Sequence, residues 1–209
     1  MATSLPGIHA ATRWRQPRVA AWVSGVAGIL AGALLVMFFT LADPYGWSWT
    51  GPASDVVGAV QFAAFAPAAW ALRRRLPATR AVQAGTVAAV LAMVAAAVLS
   101  LLLVAGALSY EAQLPAVIAA FAVVYAWLLV ADLAAHRART LPRRVTRTGL
   151  LLAVAFLAGL VLPGAGLVLP GPVGRIAWWL GLALAFPGWL GLPAYPLLLA
   201  RYVFTKEAS

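Results

Sequence analysis

Residues 81–110 read AVQAGTVAAVLAMVAAAVLSLLLVAGALSY, thirty positions without a charged side chain. A straight helix of that length reaches about 45 Å, whereas a bilayer's hydrocarbon core is about 30 Å thick. The segment therefore reads as a membrane span that tilts or extends beyond the bilayer. Five further charge-free runs flank it: Val19–Ala42 (24 residues), Val56–Leu72 (17), Ala112–Ala131 (20), Thr148–Gly174 (27) and Ile176–Ala200 (25). The 17-residue run is short for a span, but the uncharged Pro52–Ser54 extends it. Strand-like alternation of polarity, which a closed barrel would need, is absent from these Ala/Leu/Val runs.

Composition agrees. Hydrophobic residues make up 64% of the 209-residue chain and charged residues 10%, against about 45–50% and about 25% in soluble domains. A globule of this size cannot hide so much apolar surface from water. The expected fold is an all-α integral membrane protein, a compact bundle of six transmembrane helices. Residues 1–18 form a short basic tail, 19–201 a single transmembrane domain and 202–209 a second tail.

The net charge of +10 gives the orientation. With the N-terminus inside, the inner segments hold Arg13, Arg15 and Arg18, then Arg73–Arg75 and Arg80, then Arg137, Arg139, Arg143, Arg144 and Arg147, and finally Arg201 and Lys206. That is 14 of the 15 basic residues. Only Arg175 falls outside, with Asp43, Asp55 and Glu111. This positive-inside bias places both termini in the cytoplasm and the chain in the cytoplasmic (inner) membrane, multi-pass. Anionic lipid headgroups account for the arginine clusters, and nucleic acid is not an expected partner. The first run exceeds the 7–15 residues typical of a signal peptide's apolar region and is read as a retained span.

With no cysteine there is no disulfide, thiolate metal site or Cys nucleophile. The only histidines, His9 and His136, fall outside the spans, so no metal and no cofactor is expected. Asp132, near the inner end of the fourth span, has His136 one turn later, an expected interfacial pair.

Small residues recur every fourth position at Ser24, Gly28 and Gly32 in the first span, beside Ala27 and Ala31. In the third they recur at Ala84, Ala88, Ala92, Ala96 and Ser100. Such faces let helices approach closely, either within the bundle or against a partner subunit. Pro67 and Pro163 lie late in the second and fifth spans, and Pro187, Pro193 and Pro196 punctuate the sixth. Late prolines in the middle helix of each half are compatible with inverted transporter halves.

The first outer loop, LADPYGWSWTGPASDVV at 41–57, gathers two of the five acids with Tyr45, Trp47 and Trp49. Asp43-Pro44 reads as a turn opener and TGPASD as a helix start, with Asp55 near the positive dipole end. These roles explain both acids without a ligand. The competing reading is an outward-facing apolar cavity for a small apolar or aromatic ligand. Tyr45, Trp47 and Trp49 would cap it, Gln61, Phe65 and Tyr125 would line it, and Arg175 would close the rim. An Arg175 pair with Glu111 or an aspartate would pin the loops.

Six spans in about 200 residues, cytoplasmic termini and a small-residue first helix resemble the substrate-binding subunits of energy-coupling-factor vitamin transporters. The resemblance implies a non-enzymatic ligand-binding transport component or a permease-like partner subunit. The alternative is an intramembrane enzyme acting on a lipid or isoprenoid. Its logic resembles that of small membrane terpene cyclases: Asp43, Asp55 or Glu111 would supply a proton, and aromatic faces would stabilise a carbocation.

Overall fold

Proline and glycine, more than polarity, decide where the helices stop. The structure is a computed structural model describing residues 6–169 and 171–205; the side chains of 6–15, Asp43 and 164–168 lie outside the described set. Seven α-helices follow in order: α1 Pro6–Tyr45, α2 Thr50–Leu72, α3 Arg80–Val104, α4 Tyr110–Ala138, α5 Arg143–Val168, α6 Gly171–Gly191 and α7 Ala194–Tyr202. A 3₁₀ turn, Arg73–Arg75, follows α2, and no strand occurs among the described residues. Six helical segments are long and apolar enough to cross a membrane, the sixth, Gly171–Tyr202, combining α6 and α7.

The first link corrects the expected turn at Asp43-Pro44. Helix α1 runs through Pro44 to Tyr45, and Gly46 ends it at φ +68°. A proline in the last turn removes only one amide donor, whereas the left-handed conformation at Gly46 stops the helix. The link is accordingly the four residues 46–49, shorter than the loop read at 41–57. Its amides are absorbed locally, with Thr50 and Gly51 donating to the carbonyls of Trp47 and Ser48. Helix α2 thus starts at Thr50, placing Asp55 in its second turn rather than its first. Elsewhere Thr79 and Ser109 cap α3 and α4 by accepting from the amides of Val82 and Ala112.

Helices α1 to α6 each pack on the next as antiparallel neighbours, and α7 closes the ring on α1. That closure is antiparallel: Gly25 meets Leu197, Gly28 meets Pro193 and Gly32 meets Leu190. The small-residue face of the first span therefore packs inside the bundle. The ladder of the third does not stay on one side. Four residues turn about 400°, so each step drifts about 40°; Ala92 and Ala96 are buried while Ala84 and Ala88 are exposed. Outward-facing positions are apolar, with Leu151 72%, Val161 70% and Trp179 67% exposed.

Helices α2 and α5 pass through Pro67 and Pro163 without ending. The break falls at Leu192-Pro193, between α6 and α7. Pro193 has no amide, and the Leu192 amide turns to the Trp189 carbonyl at 3.1 Å. The Gly188 carbonyl thereby loses its helical donor, and the Tyr125 hydroxyl of α4 donates to it at 2.8 Å. Beyond the break, the Tyr195 hydroxyl donates to Asp132 Oδ1 at 3.1 Å. Asp132 is fully buried on this contact and His136 is exposed, so the expected Asp132–His136 pair does not form. Trp127 donates to Thr86 between α4 and α3, and Ser54 donates to the Ala31 carbonyl between α2 and α1.

Tyr125→Phe should lower stability by about 1 kcal/mol, the cost of leaving a buried carbonyl unpaired, in denaturant titrations of the purified protein. Gly159→Ala should lose about 1–3 kcal/mol by overpacking, since its Cβ would lie 2.3 Å from the Ala185 amide nitrogen. Gly58→Ala should be neutral or gain up to about 1 kcal/mol in helix propensity, because nothing lies within 4 Å of a Cβ there.

Candidate functional site

The side chains that the ring fails to fill leave a cavity of about 1140 Å³ in the half of the bundle that carries the α1–α2 and α3–α4 links. Its cause lies in how α6 and α7 divide their contacts. Helix α6 lies against α5, where glycines allow near backbone contact: Gly159 on Ala185, Gly181 on Pro163, Gly188 on Phe156 and Gly191 on Leu152. After the break, α7 turns to α1, while α6 touches α1 only slightly. The space between α1 and α6 is the cavity, and all of α1–α6 contribute to its wall.

Aromatic rings dominate that wall. Phe38 and Phe39 come from α1, Phe62 from α2, Tyr110 and Phe121 from α4, Phe156 from α5, and Phe186 and Trp189 from α6. The rings lock one another. Phe121 lies between Phe62 and Phe156, with centroids at 5.1 and 6.2 Å, and Phe156 stacks on Tyr125 at 4.0 Å. Each such pair adds about 0.5–1.5 kcal/mol beyond its burial, so the floor is a fixed surface.

Polar groups in the wall are few. Gln61 and Gln113 are 7% and 5% exposed, line the cavity, and make no side-chain hydrogen bond among the described residues. Gln61 lies deep, its amide against Gly28 of α1, where a Cβ would intrude at 2.7 Å. Gln113 sits in the first turn of α4. Ser54 also lines the wall but spends its hydroxyl on Ala31. Asp55, half-buried, is the only charged side chain of the lining among the described residues and has no ion pair or hydrogen bond to any of them.

The residues expected from sequence divide sharply. Asp55 and Gln61 are brought together in the wall. Phe65 is fully buried below it, edge-on to Trp127 and Tyr195. Tyr125 lies beneath the floor, committed to Gly188. Tyr45, Trp47 and Trp49 are exposed and do not line the cavity; Tyr45 and Trp47 rest on each other at 6.5 Å. Glu111 is exposed beside the lining residue Tyr110. Arg175 borders a shallow depression on α6 with Trp179 and pairs with neither Glu111 nor Asp55. The Asp43 side chain lies outside the described residues.

Gln113, Trp189 and the wall glycine Gly58 were not singled out as a set by sequence. Gln113 carried the same signal as Gln61, an uncharged amide at the head of an apolar run. No group of three or more His, Cys, Asp or Glu able to hold a metal occurs among the described residues. No protein-family model, curated protein or solved structure matches this chain.

An amide that donates to nothing contributes nothing to the fold. Gln61→Leu and Gln113→Leu should each stay within about 0.5 kcal/mol of the wild-type stability. Ser54→Ala, which removes the α2–α1 bond, should lose about 0.6 kcal/mol. Thermal unfolding of the three variants in one detergent checks this ordering.

Proposed function

We propose that the chain is a small polytopic membrane protein whose aromatic cavity binds a ligand, acting as a non-enzymatic transport component or permease-like subunit. The observation that carries the reading is the pair of buried, unpartnered amides, Gln61 and Gln113, facing a cavity of about 1140 Å³. A void of that size lined by apolar groups with a few convergent polar atoms is the usual form of a small-molecule site. Amide atoms that line a cavity and bond to no described residue are free to meet a ligand there.

Six span-length helices and an apolar outer surface support insertion in a bilayer. The arginine clusters support an orientation with both termini and the α2–α3 and α4–α5 links in the cytoplasm, anchored by anionic headgroups. The cavity half of the bundle then faces outward. The acid-catalysis alternative draws less support, because Glu111 lies outside the cavity and Asp55 stands alone among the described acids there.

The test uses Gly58→Leu, whose side chain grows into open cavity space. The purified wild-type chain should yield bound small molecules on denaturation and mass spectrometry, and should melt higher when they are added back. Gly58→Leu should melt normally alone and lose both responses. A wild-type protein that carries nothing and never shifts would sink the ligand-binding reading. Orientation is checked separately with single cysteines, the native chain having none. Trp49→Cys and Arg175→Cys should react with an impermeant thiol reagent from one side, and Arg139→Cys from the other.

A further inference from the structure

Among the described residues, the cavity wall has one acidic side chain, Asp55, and no Arg, Lys or His lines the space beside it. Arg175, the one base assigned by sequence to the same side, borders a different depression. A carboxylate facing an apolar cavity without a partner is unfavourable, and the favourable complement is a cation. The rings point the same way. Aromatic faces carry negative potential and attract organic cations whose hydration is weak, and Phe38, Phe62, Phe121 and Trp189 present such surfaces from four different helices. Depth is ordered as well: Gln61 lies six residues beyond Asp55 on α2, about 9 Å along the axis, with Phe62 beside it. An acid near the mouth, rings on all sides and an amide deep in the wall suit a bulky, charge-delocalised amphiphile.

Building on the ligand-binding reading, we infer that the cavity takes a hydrophobic organic cation, with Asp55 opposite the positive charge and the aromatic wall around its apolar body. A hydrogen-bond acceptor on such a ligand meets Gln61. The walls contain no basic group to hold an anion, so carboxylates and phosphates of the same bulk are refused.

Two probes of matched bulk separate charge from shape: methyltriphenylphosphonium, a cation, and triphenylphosphine oxide, a neutral acceptor. Binding of each to the full chain in neutral-detergent micelles is measured by equilibrium dialysis against empty micelles. Wild-type protein should bind the phosphonium saturably, one per chain, and more tightly than the oxide. Asp55→Asn should weaken the phosphonium by about tenfold or more, the usual consequence of removing one partner from a desolvated charge pair. The same substitution should leave the oxide unchanged, and Asp55→Glu should retain cation binding. Gly58→Leu should abolish both. Displacement of the phosphonium by sphingosine, a lipid ammonium without phosphate, marks a lipid as the natural source, and no displacement marks a free organic cation; either keeps the cation class.

Equal binding of both probes, unaffected by Asp55→Asn but lost in Gly58→Leu, overturns the cation inference and leaves the ligand-binding reading standing. Phosphonium binding that survives Gly58→Leu also overturns it, since the cation would then sit elsewhere. So does the absence of saturable phosphonium binding to the wild-type chain.

Discussion

The Gly188 carbonyl, stripped of its helical donor by the Leu192-Pro193 break, is the constraint around which this bundle is arranged. A carbonyl in that position inside an apolar bundle has no water to turn to, and the cost of leaving it unmade exceeds the net worth of most side-chain bonds. Tyr125 answers it. Seven residues on, two turns along the same face of α4, Asp132 accepts from Tyr195 on the other side of the break. One helix face thus holds both halves of the interrupted segment. Neither tyrosine is available for ligand chemistry as a result, and Asp132 is shaped to this task so tightly that Gly149 must lack a Cβ beside its Oδ2.

The break has a second consequence. A continuous sixth helix could lean on α5 or on α1, but not fully on both. Glycines at 181, 188 and 191 bring α6 onto α5, and the turn at Pro193 then sends α7 to α1. The interior between α1 and α6 stays open above the turn. Interiors are normally packed close to crystal density, and voids lined by aliphatic groups collapse when neighbours can relax. This one is walled by rings braced against one another, which resist collapse. The cavity is therefore a product of backbone chemistry at one proline and three glycines, with aromatic side chains keeping it open.

Much of the fold was legible because its signals are additive along the chain. Six charge-free runs gave six span-length helices, and short polar links gave antiparallel neighbours. What escaped was decided between helices. The four-residue ladder of α1 packs against the α6–α7 segment as read, but equally tight contacts occur on α6, whose glycines are irregularly spaced within GLALAFPGWLG, and the ladder of α3 drifts off one face. Tyr125 read as a cavity residue because nothing local shows that a carbonyl 63 positions away will need its hydroxyl. Asp132 read as a partner of His136 by helical spacing, but the carboxylate is buried against Tyr195 while the histidine, near the end of α4, is exposed. The Tyr45–Trp49 cluster drew attention by composition alone; its rings are exposed and none lines the cavity. Gln61 stood out because a polar side chain in an apolar run is rare, whereas Asp55 read as a helix-start residue or a catalytic acid and not as part of the wall.

An apolar cavity inside a protein surrounded by water draws ligands by the hydrophobic effect. For a chain in lipid that drive is nearly absent, since hydrocarbon outside is as apolar as the wall inside. Rings such as Phe121 and Phe156 then set shape and, through their faces, electrostatic preference, but they add little affinity for hydrocarbon itself. Discrimination must come from groups the bilayer core does not offer: the amides of Gln61 and Gln113 and the carboxylate of Asp55. If the cavity takes the ligand proposed above, a single acid without a described partner outweighs a large apolar area in choosing it. On that proposal a molecule with positive charge spread over a bulky frame would gain at Asp55 what it cannot gain among acyl chains, and a neutral lipid would gain nothing by leaving them.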